Sequence, residues 1–117
     1  MNLQALSARV RTKNGAAVVE LAGDVDGSAE TALRTGYKEA TATGAETILL
    51  DFAGVGYINS TGIALIVGVL AEARKDKRKV IACGLSGHYR EIFQVTRLSD
   101  FMPIFADEQE ALAGAGT

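Results

Sequence analysis

An α/β domain built on a mixed, mostly parallel sheet is the fold class this sequence predicts, and three observations predict it. Strand-like segments alternate with segments of helical spacing along most of the chain. An Asn14-Gly15 pair near the start joins the first two strands as a hairpin. Thr47-Ile48-Leu49-Leu50-Asp51-Phe52 is nearly continuously apolar, the pattern of a strand covered on both faces. At 117 residues the chain has the length of one domain, expected over 1–113 with a frayed Gly/Ala tail over 114–117. A domain of this size buries roughly two-thirds of its unfolded surface, enough for a core without staples.

The elements follow in order. Leu3 to Arg11 alternates loosely and reads as the first strand, Lys13-Asn14-Gly15 as its turn, and Ala17 to Leu21 as the second strand. Asp26 or Ser28 caps a helix running to about Thr43, with Ala29, Ala32, Leu33 and Ala40 near helical spacing and Gly44 as the stop. After the Thr47–Phe52 strand, Ala53-Gly54-Val55-Gly56 reads as a turn and Tyr57-Ile58 as a short extended piece. A second helix begins near Ser60 and ends in the charged run Arg74-Lys75-Asp76-Lys77-Arg78. Lys79 to Gly84 is a further strand, Ser86 caps a third helix to about Val95, Met102 to Phe105 is a last short strand, and Asp107 caps a terminal helix over Glu108 to Ala113. The sum is a four- to five-stranded sheet, opened by an antiparallel hairpin, with about four helices.

Composition removes whole classes of function. Apolar residues make up 48% and charged residues 22%, a globular balance. One cysteine and one histidine exclude a disulfide framework and a Cys/His zinc site. A net charge of −2 is the wrong sign for a protein living on nucleic acid, and the basic run at 74–78 suits the C-terminus of a solvated helix or steers an acidic partner. The longest apolar stretch, Ile63 to Ala71 interrupted by Gly68, is about half a membrane-crossing helix, so no membrane association is expected. No basic start followed by an apolar run opens the chain, which points to the cytoplasm and makes the Asn59-Ser60-Thr61 glycosylation match a coincidence.

The same economy applies to catalysis. Ser86 and His88 lie two apart on one predicted helix and do not face each other. Cys83 ends a buried strand and reads as an inert small hydrophobe. No phosphate-cradling Gly-x-x-x-x-Gly-Lys run exists. No nucleophile, base and orienter assemble from this inventory, so the chain reads as no enzyme, with no cofactor and no metal. Asp24 and Asp26 are a carboxylate pair whose residues point first to capping and turn chemistry.

One segment departs from routine. From Asp51 to Ala64 the chain leaves a buried strand and starts a helix with Ser60 and Thr61 where backbone N–H groups lack helical acceptors. Ser60 as an N-cap is the plain reading, yet Ile63 stands where a capping box has Glu or Gln. Gly62 lowers helix propensity and admits another backbone at close range. Beyond it Ile63, Ala64, Leu65, Ile66, Val67, Val69 and Leu70 are apolar almost all round, so the helix is buried or shows part of itself to a partner. A phosphate on Ser60 suits a helix N-terminus while adding about −1.5 to −2 charge beside a docking helix. Burying that charge unpaired at an interface costs roughly 2–5 kcal/mol, or tens to thousands of times in affinity.

Gly23-Asp24-Val25-Asp26, then Leu50-Asp51-Phe52 … Tyr57-Ile58-Asn59-Ser60-Thr61-Gly62-Ile63-Ala64, then Gly84-Leu85-Ser86 … Ile92-Phe93 … Thr96-Arg97-Leu98 together resemble the STAS domain of bacterial anti-sigma-factor antagonists. The resemblance covers about Leu3 to Leu112 and implies a small α/β binding module controlled by phosphorylation. It implies that the unphosphorylated protein binds an anti-sigma factor serine kinase and releases the sigma factor, that the kinase phosphorylates the antagonist with ATP, and that a metal-dependent serine phosphatase restores it. The family's phosphoacceptor falls on Ser60, with Thr61 and Gly62 completing its Asp-Ser-Ser/Thr-Gly motif. Asp26 falls on the acidic residue beside the phosphosite, Ile63 and Ala64 on the usual Leu-Gly, and Ile66, Val67 and Leu70 line or support the docking helix. Two positions differ: Asn59 replaces the Asp before the phosphoserine, and Asp24 replaces a Glu. An amide removes repulsion toward a phosphate and removes any assistance from a base. The resemblance thus makes Ser60 the phosphorylation site and Asp24, Asp26, Asn59, Thr61, Gly62, Ile63, Ile66, Val67 and Leu70 the partner-binding residues. The alternative is a constitutive STAS scaffold or regulatory subunit, for a stress complex, biofilm or lipid transport, in which Ser60 is only a helix cap. A monomer is the default free state.

Overall fold

Asn14 and Gly15 both adopt positive φ, 53° and 80°, the conformation of the tight hairpin turn their pairing favours. They fold β1 (Ser7–Lys13) back along β2 (Ala16–Val25), with Val10 opposite Val19. The computed structural model describes residues 4–115, and Leu3, expected in the first strand, lies outside them. After the hairpin come α1 (Glu30–Ala42), β3 (Thr47–Ile58), α2 (Ser60–Lys75), β4 (Lys79–Cys83), α3 (Gly87–Val95), β5 (Ile104–Phe105) and α4 (Glu108–Ala115). The sheet order is β1-β2-β3-β4-β5, antiparallel at the first pair and parallel at the other three. The sequence of elements agrees with the expectation.

This strand order decides where the helices go. Each parallel step moves the same way across the sheet, so right-handed crossovers place α1, α2 and α3 on one face. There Val19, Ile48, Leu50, Phe52, Val80 and Ala82 meet Leu33, Tyr37, Ile66 and Phe93. The Phe52 and Phe93 rings pack edge to face at 6.2 Å. The opposite face holds Val18, Leu49, Ile81 and Cys83, covered by Ala111 and Leu112 of α4. A strand with helices on both sides is apolar on both sides, which is why Ile48, Leu49 and Leu50 run consecutively. Arg11 anchors α4 from the hairpin by bonding Glu108, and it also meets Glu20 at 3.0 Å.

Several boundaries differ from the sequence expectation: β1 opens at Ser7 and runs past Arg11 to Lys13, and the last strand is only Ile104–Phe105 rather than Met102–Phe105. The turn expected over 53–56 does not form: β3 continues through it, with Ala22 beside Gly54 and Gly23 beside Val55. Two irregularities in register absorb the change, and a side chain on Gly54 would stand 2.8 Å from the Leu21 carbonyl. The second strand likewise runs on to Val25 rather than stopping at Leu21, and its end is tied to the N-terminal segment by Asp24 N donating to the Gln4 carbonyl at 2.9 Å. At the other terminus α4 runs to Ala115, two residues past the helix end expected at Ala113; residues 116 and 117 lie outside the described ones.

Candidate functional site

Two parallel strands, β2 and β3, end side by side, with Val25 in register with Ile58. The chain leaves both strand ends toward the same face, into α1 and α2 respectively, so the C-terminal edge of the sheet brings two helix starts together. The lead into α1 is a short 3-10 turn, Gly27–Ala29, and a side chain on Gly27 would touch the Thr61 methyl at 3.6 Å. Asp24, Asp26 and the 59–62 segment are therefore neighbours in the fold.

The start of α2 is built differently from the expectation that Ser60 caps it. Asn59 is the cap: its backbone is extended (φ −104°, ψ −179°) and its side-chain oxygen accepts the Gly62 N–H at 2.8 Å. The Asn59 N–H donates to the Val25 carbonyl at 3.2 Å, which fixes that extended conformation against β2. Ser60 is then the first helical residue, exposed, and its hydroxyl has no hydrogen-bond partner among the described residues. An amide oxygen caps as a carboxylate oxygen does, so Asn59 in place of the family's Asp leaves this geometry intact. The reading of Ser60 as only a helix cap is corrected on this point.

Gly62 supplies the close approach its sequence position suggested. A side chain there would stand 1.9 Å from the Val25 carbonyl oxygen, so only glycine lets the first turn of α2 lie on the end of β2. The last amide of β3, Ile58 N–H, donates to the Tyr89 hydroxyl at 3.0 Å. Tyr89 of α3 thus pins the strand one residue before the cap. Sequence reasoning missed it, because a contact between residues 31 apart leaves no local pattern.

Both acidic residues, Asp24 and Asp26, already accept hydrogen bonds from the chain. Asp26 Oδ1 accepts the Ser28 hydroxyl at 2.6 Å and the Ser28 N–H at 2.9 Å. Those two bonds, the hydroxyl foremost, hold its carboxyl below the ordinary aspartate range. Asp24 Oδ2 accepts the Gln4 N–H at 3.1 Å. Capping and turn chemistry, the residues' own first reading, is what Asp26 performs at the start of the 3-10 turn, whereas Asp24 instead holds the N-terminal segment twenty residues away.

Burial sorts the remaining residues of the expected partner surface. Thr61 is exposed and Val67 is 45% exposed. Ile63 and Leu70 are half-buried against the core. Ile66 is fully buried and Gly62 is buried, so neither meets a partner: Ile66 supports α2 from beneath, and Gly62 seats it on β2. Ser60, Ala64, Val67 and Ala71 are all exposed and recur at helical spacing, giving α2 a small-residue and apolar stripe that begins at the free hydroxyl. Tyr57, on β3 beside Asp24, is 46% exposed; the sequence motif contains it without assigning it to the partner face.

The other chemistry-bearing residues are accounted for elsewhere. Ser86 caps α3 by accepting the Tyr89 N–H at 3.3 Å, and His88 is exposed with its ring against that of Tyr89. Burial, with Asp51 alongside, pushes the Cys83 thiol up to about 12, so it stays protonated and inert. Glu20, Asp51 and Glu108 bring carboxylate oxygens within 4.8 Å of one another, but Arg11 bonds both Glu20 and Glu108 and Lys13 lies 3.7 Å from Glu108. The cations a metal would replace are already part of the chain. Among the described residues no helix is long and apolar enough to cross a membrane.

Residues 7–111 match the STAS domain family. The anti-sigma-B factor antagonist of Listeria monocytogenes is 33% identical over 55 residues, 47% of this chain and 48% of that protein. Matches to curated relatives span between 48% and 61% of their length. Among solved structures, an anti-sigma factor antagonist from Mycobacterium paratuberculosis superposes with a TM-score of 0.80 at 18% identity, covering 94% of this chain and 93% of that one. SpoIIAA of Bacillus in its phosphorylated form superposes with a TM-score of 0.68 at 25% identity, covering 93% and 99%.

Proposed function

The chain belongs to the STAS-domain family, and we propose that within it this protein is an anti-sigma-factor antagonist that works by changing partners. In its unmodified form it binds an anti-sigma factor that is also a serine kinase, and so frees the sigma factor. Phosphorylation of Ser60 ends that binding, and a serine phosphatase restores it. The protein is a cytoplasmic binding module, not an enzyme.

The observation that carries this reading is the free hydroxyl of Ser60. Because Asn59 does the capping, Ser60 contributes nothing to the helix start that a modification would undo. The N–H groups of Ser60 and Thr61 lack acceptors among the described residues, so a phosphate here meets unpaired donors and the positive end of the helix. The fold tolerates the charge, while an apolar partner surface seated on the exposed side of α2 at Val67 does not. In the transfer itself the Ser60 oxygen attacks the γ-phosphorus of ATP, the bond to ADP breaks, and the hydroxyl proton leaves. With an amide at position 59, the base that takes this proton comes from the kinase. The named relatives are anti-sigma factor antagonists, and SpoIIAA exists in phosphorylated and unphosphorylated forms, which supports the switch.

Intact-mass measurement and phosphopeptide mapping of the protein from its native host test the reading. One adduct of about 80 Da on the peptide containing Ser60, absent from Ser60→Ala, is the expected result. Asn59 is the observation that favours the constitutive scaffold instead, and protein that stays unmodified under all growth conditions sustains that alternative.

A further inference from the structure

At the far end of α2 an open groove of about 860 Å³ lies between that helix, β4 and the short turn Leu98–Asp100. Val67, Leu70, Val80 and Leu98 give it aliphatic walls, and Phe101 stands at it 64% exposed. Arg74, Lys77, Arg78, Lys79 and Arg97 also line it, five of the chain's twelve Lys and Arg. Only one of its fourteen Asp and Glu does so, Asp100, which is paired with Arg97 at 2.9 Å. A chain of net charge −2 has therefore gathered cations around an apolar trough. Arg78 adds a detail: one of its terminal nitrogens bonds the Ala45 carbonyl, while its buried Nε has no acceptor among the described residues.

We infer that this groove is a docking site for an acidic amphipathic helix of a partner protein. Such a helix offers apolar side chains at i, i+3, i+4 and i+7 to the aliphatic walls and carboxylates on its flanks to the cations on either side. Phe101 is then covered rather than left in water. Nucleic acid fits the charge but not the walls, since Phe101 is the one aromatic ring lining the groove and bases seek stacking platforms. A bilayer fits the charge but not the shape, because membrane surfaces are bound by a protruding apolar face that inserts between headgroups, and this groove is recessed. The site does not depend on Ser60. Ser60 and Arg74 stand fourteen positions apart, about 21 Å along α2, so the cationic end of the groove lies away from Ser60, while Val67, Leu70 and Ala71 are shared between the groove and the surface that begins at Ser60.

The test is an NMR titration of the full-length ¹⁵N-labelled protein with a synthetic helical peptide of about eighteen residues, leucines on one face and glutamates flanking them. The controls are the same residues scrambled around the helix, a lysine-for-glutamate version, phosphatidylglycerol vesicles and a single-stranded oligonucleotide. Amide shifts are expected within 67–80 and 96–101, with affinity roughly tenfold above either control peptide and falling with salt. The double variant Lys77→Glu/Arg97→Glu loses about tenfold in affinity while its melting curve stays in place, and Phe101→Ala weakens binding independently of charge. Equal binding of the scrambled or lysine peptide overturns the inference. So do shifts that map elsewhere, or preferential binding of vesicles or oligonucleotide at these residues.

Discussion

Two serines in this fold stand at helix starts, and they do opposite things. Ser86 is itself the cap of α3, extended at φ −62° and ψ 161°, with its oxygen accepting the Tyr89 N–H at 3.3 Å. Ser60 stands one residue inside α2, where the neighbouring Asn59 has taken the cap and left the hydroxyl free. One serine is spent on structure and the other is spare. What separates them is the residue before: Leu85 has no side-chain oxygen to offer, whereas Asn59 does. A modifiable serine at a helix N-terminus thus needs a second capping residue beside it, so that the helix does not depend on the group being modified.

The comparison breaks most visibly at Gly62. Gly62→Ala puts a methyl group into the Val25 carbonyl and should destabilise the protein by about 3 kcal/mol, since backbone on both sides must shift. Urea unfolding measures this, and a loss below about 1 kcal/mol would mean that α2 is not held against β2 as described. Next in size is Asn59→Ala. It removes the oxygen that holds the Gly62 N–H and should cost about 1 kcal/mol, with Asn59→Asp restoring most of it because a carboxylate caps equally well.

The serines themselves give the smallest effects and the sharpest contrast. Ser86→Ala removes a long cap bond and should cost about 0.5–1 kcal/mol. Ser60→Ala removes no hydrogen bond and should stay within about 0.5 kcal/mol of the wild type. Parallel thermal melts of the two variants check the pair: equal destabilisation would place Ser60 in the cap after all.

Much of this arrangement is written locally and some of it is not. The hairpin is legible because Asn14-Gly15 is turn chemistry, and the central strand is legible because a doubly covered strand is apolar at consecutive positions. The path of β3 through Gly54 and Gly56 is not legible: small residues there read as a turn, and only the adjacent β2 keeps them extended. The cap lies one residue before the serine the sequence favours, for a similar reason. Asn and Ser are equally good caps, and the choice is made by the bond from Asn59 N–H to the Val25 carbonyl, which belongs to the sheet. Gly62 is the counter-example, since a glycine in the first turn of an apolar helix already announces a close neighbour. The basic run at 74–78 is legible as the end of a helix, but its gathering with Lys79 and Arg97 around one groove exists only once α3 and the turn after it have packed beside α2.

The central claim is that the Ser60 hydroxyl controls partners without controlling the fold. Affinity capture from the native host with Ser60→Ala and Ser60→Asp, with a thermal melt of each, tests it most directly. Both variants should melt within a few degrees of the wild type, about the shift that 0.5 kcal/mol produces in a domain of this size. The Ala form should hold a serine kinase anti-sigma factor and the Asp form should release it. Retention of the same kinase by both forms would contradict the claim, as would loss of binding that merely follows loss of the fold.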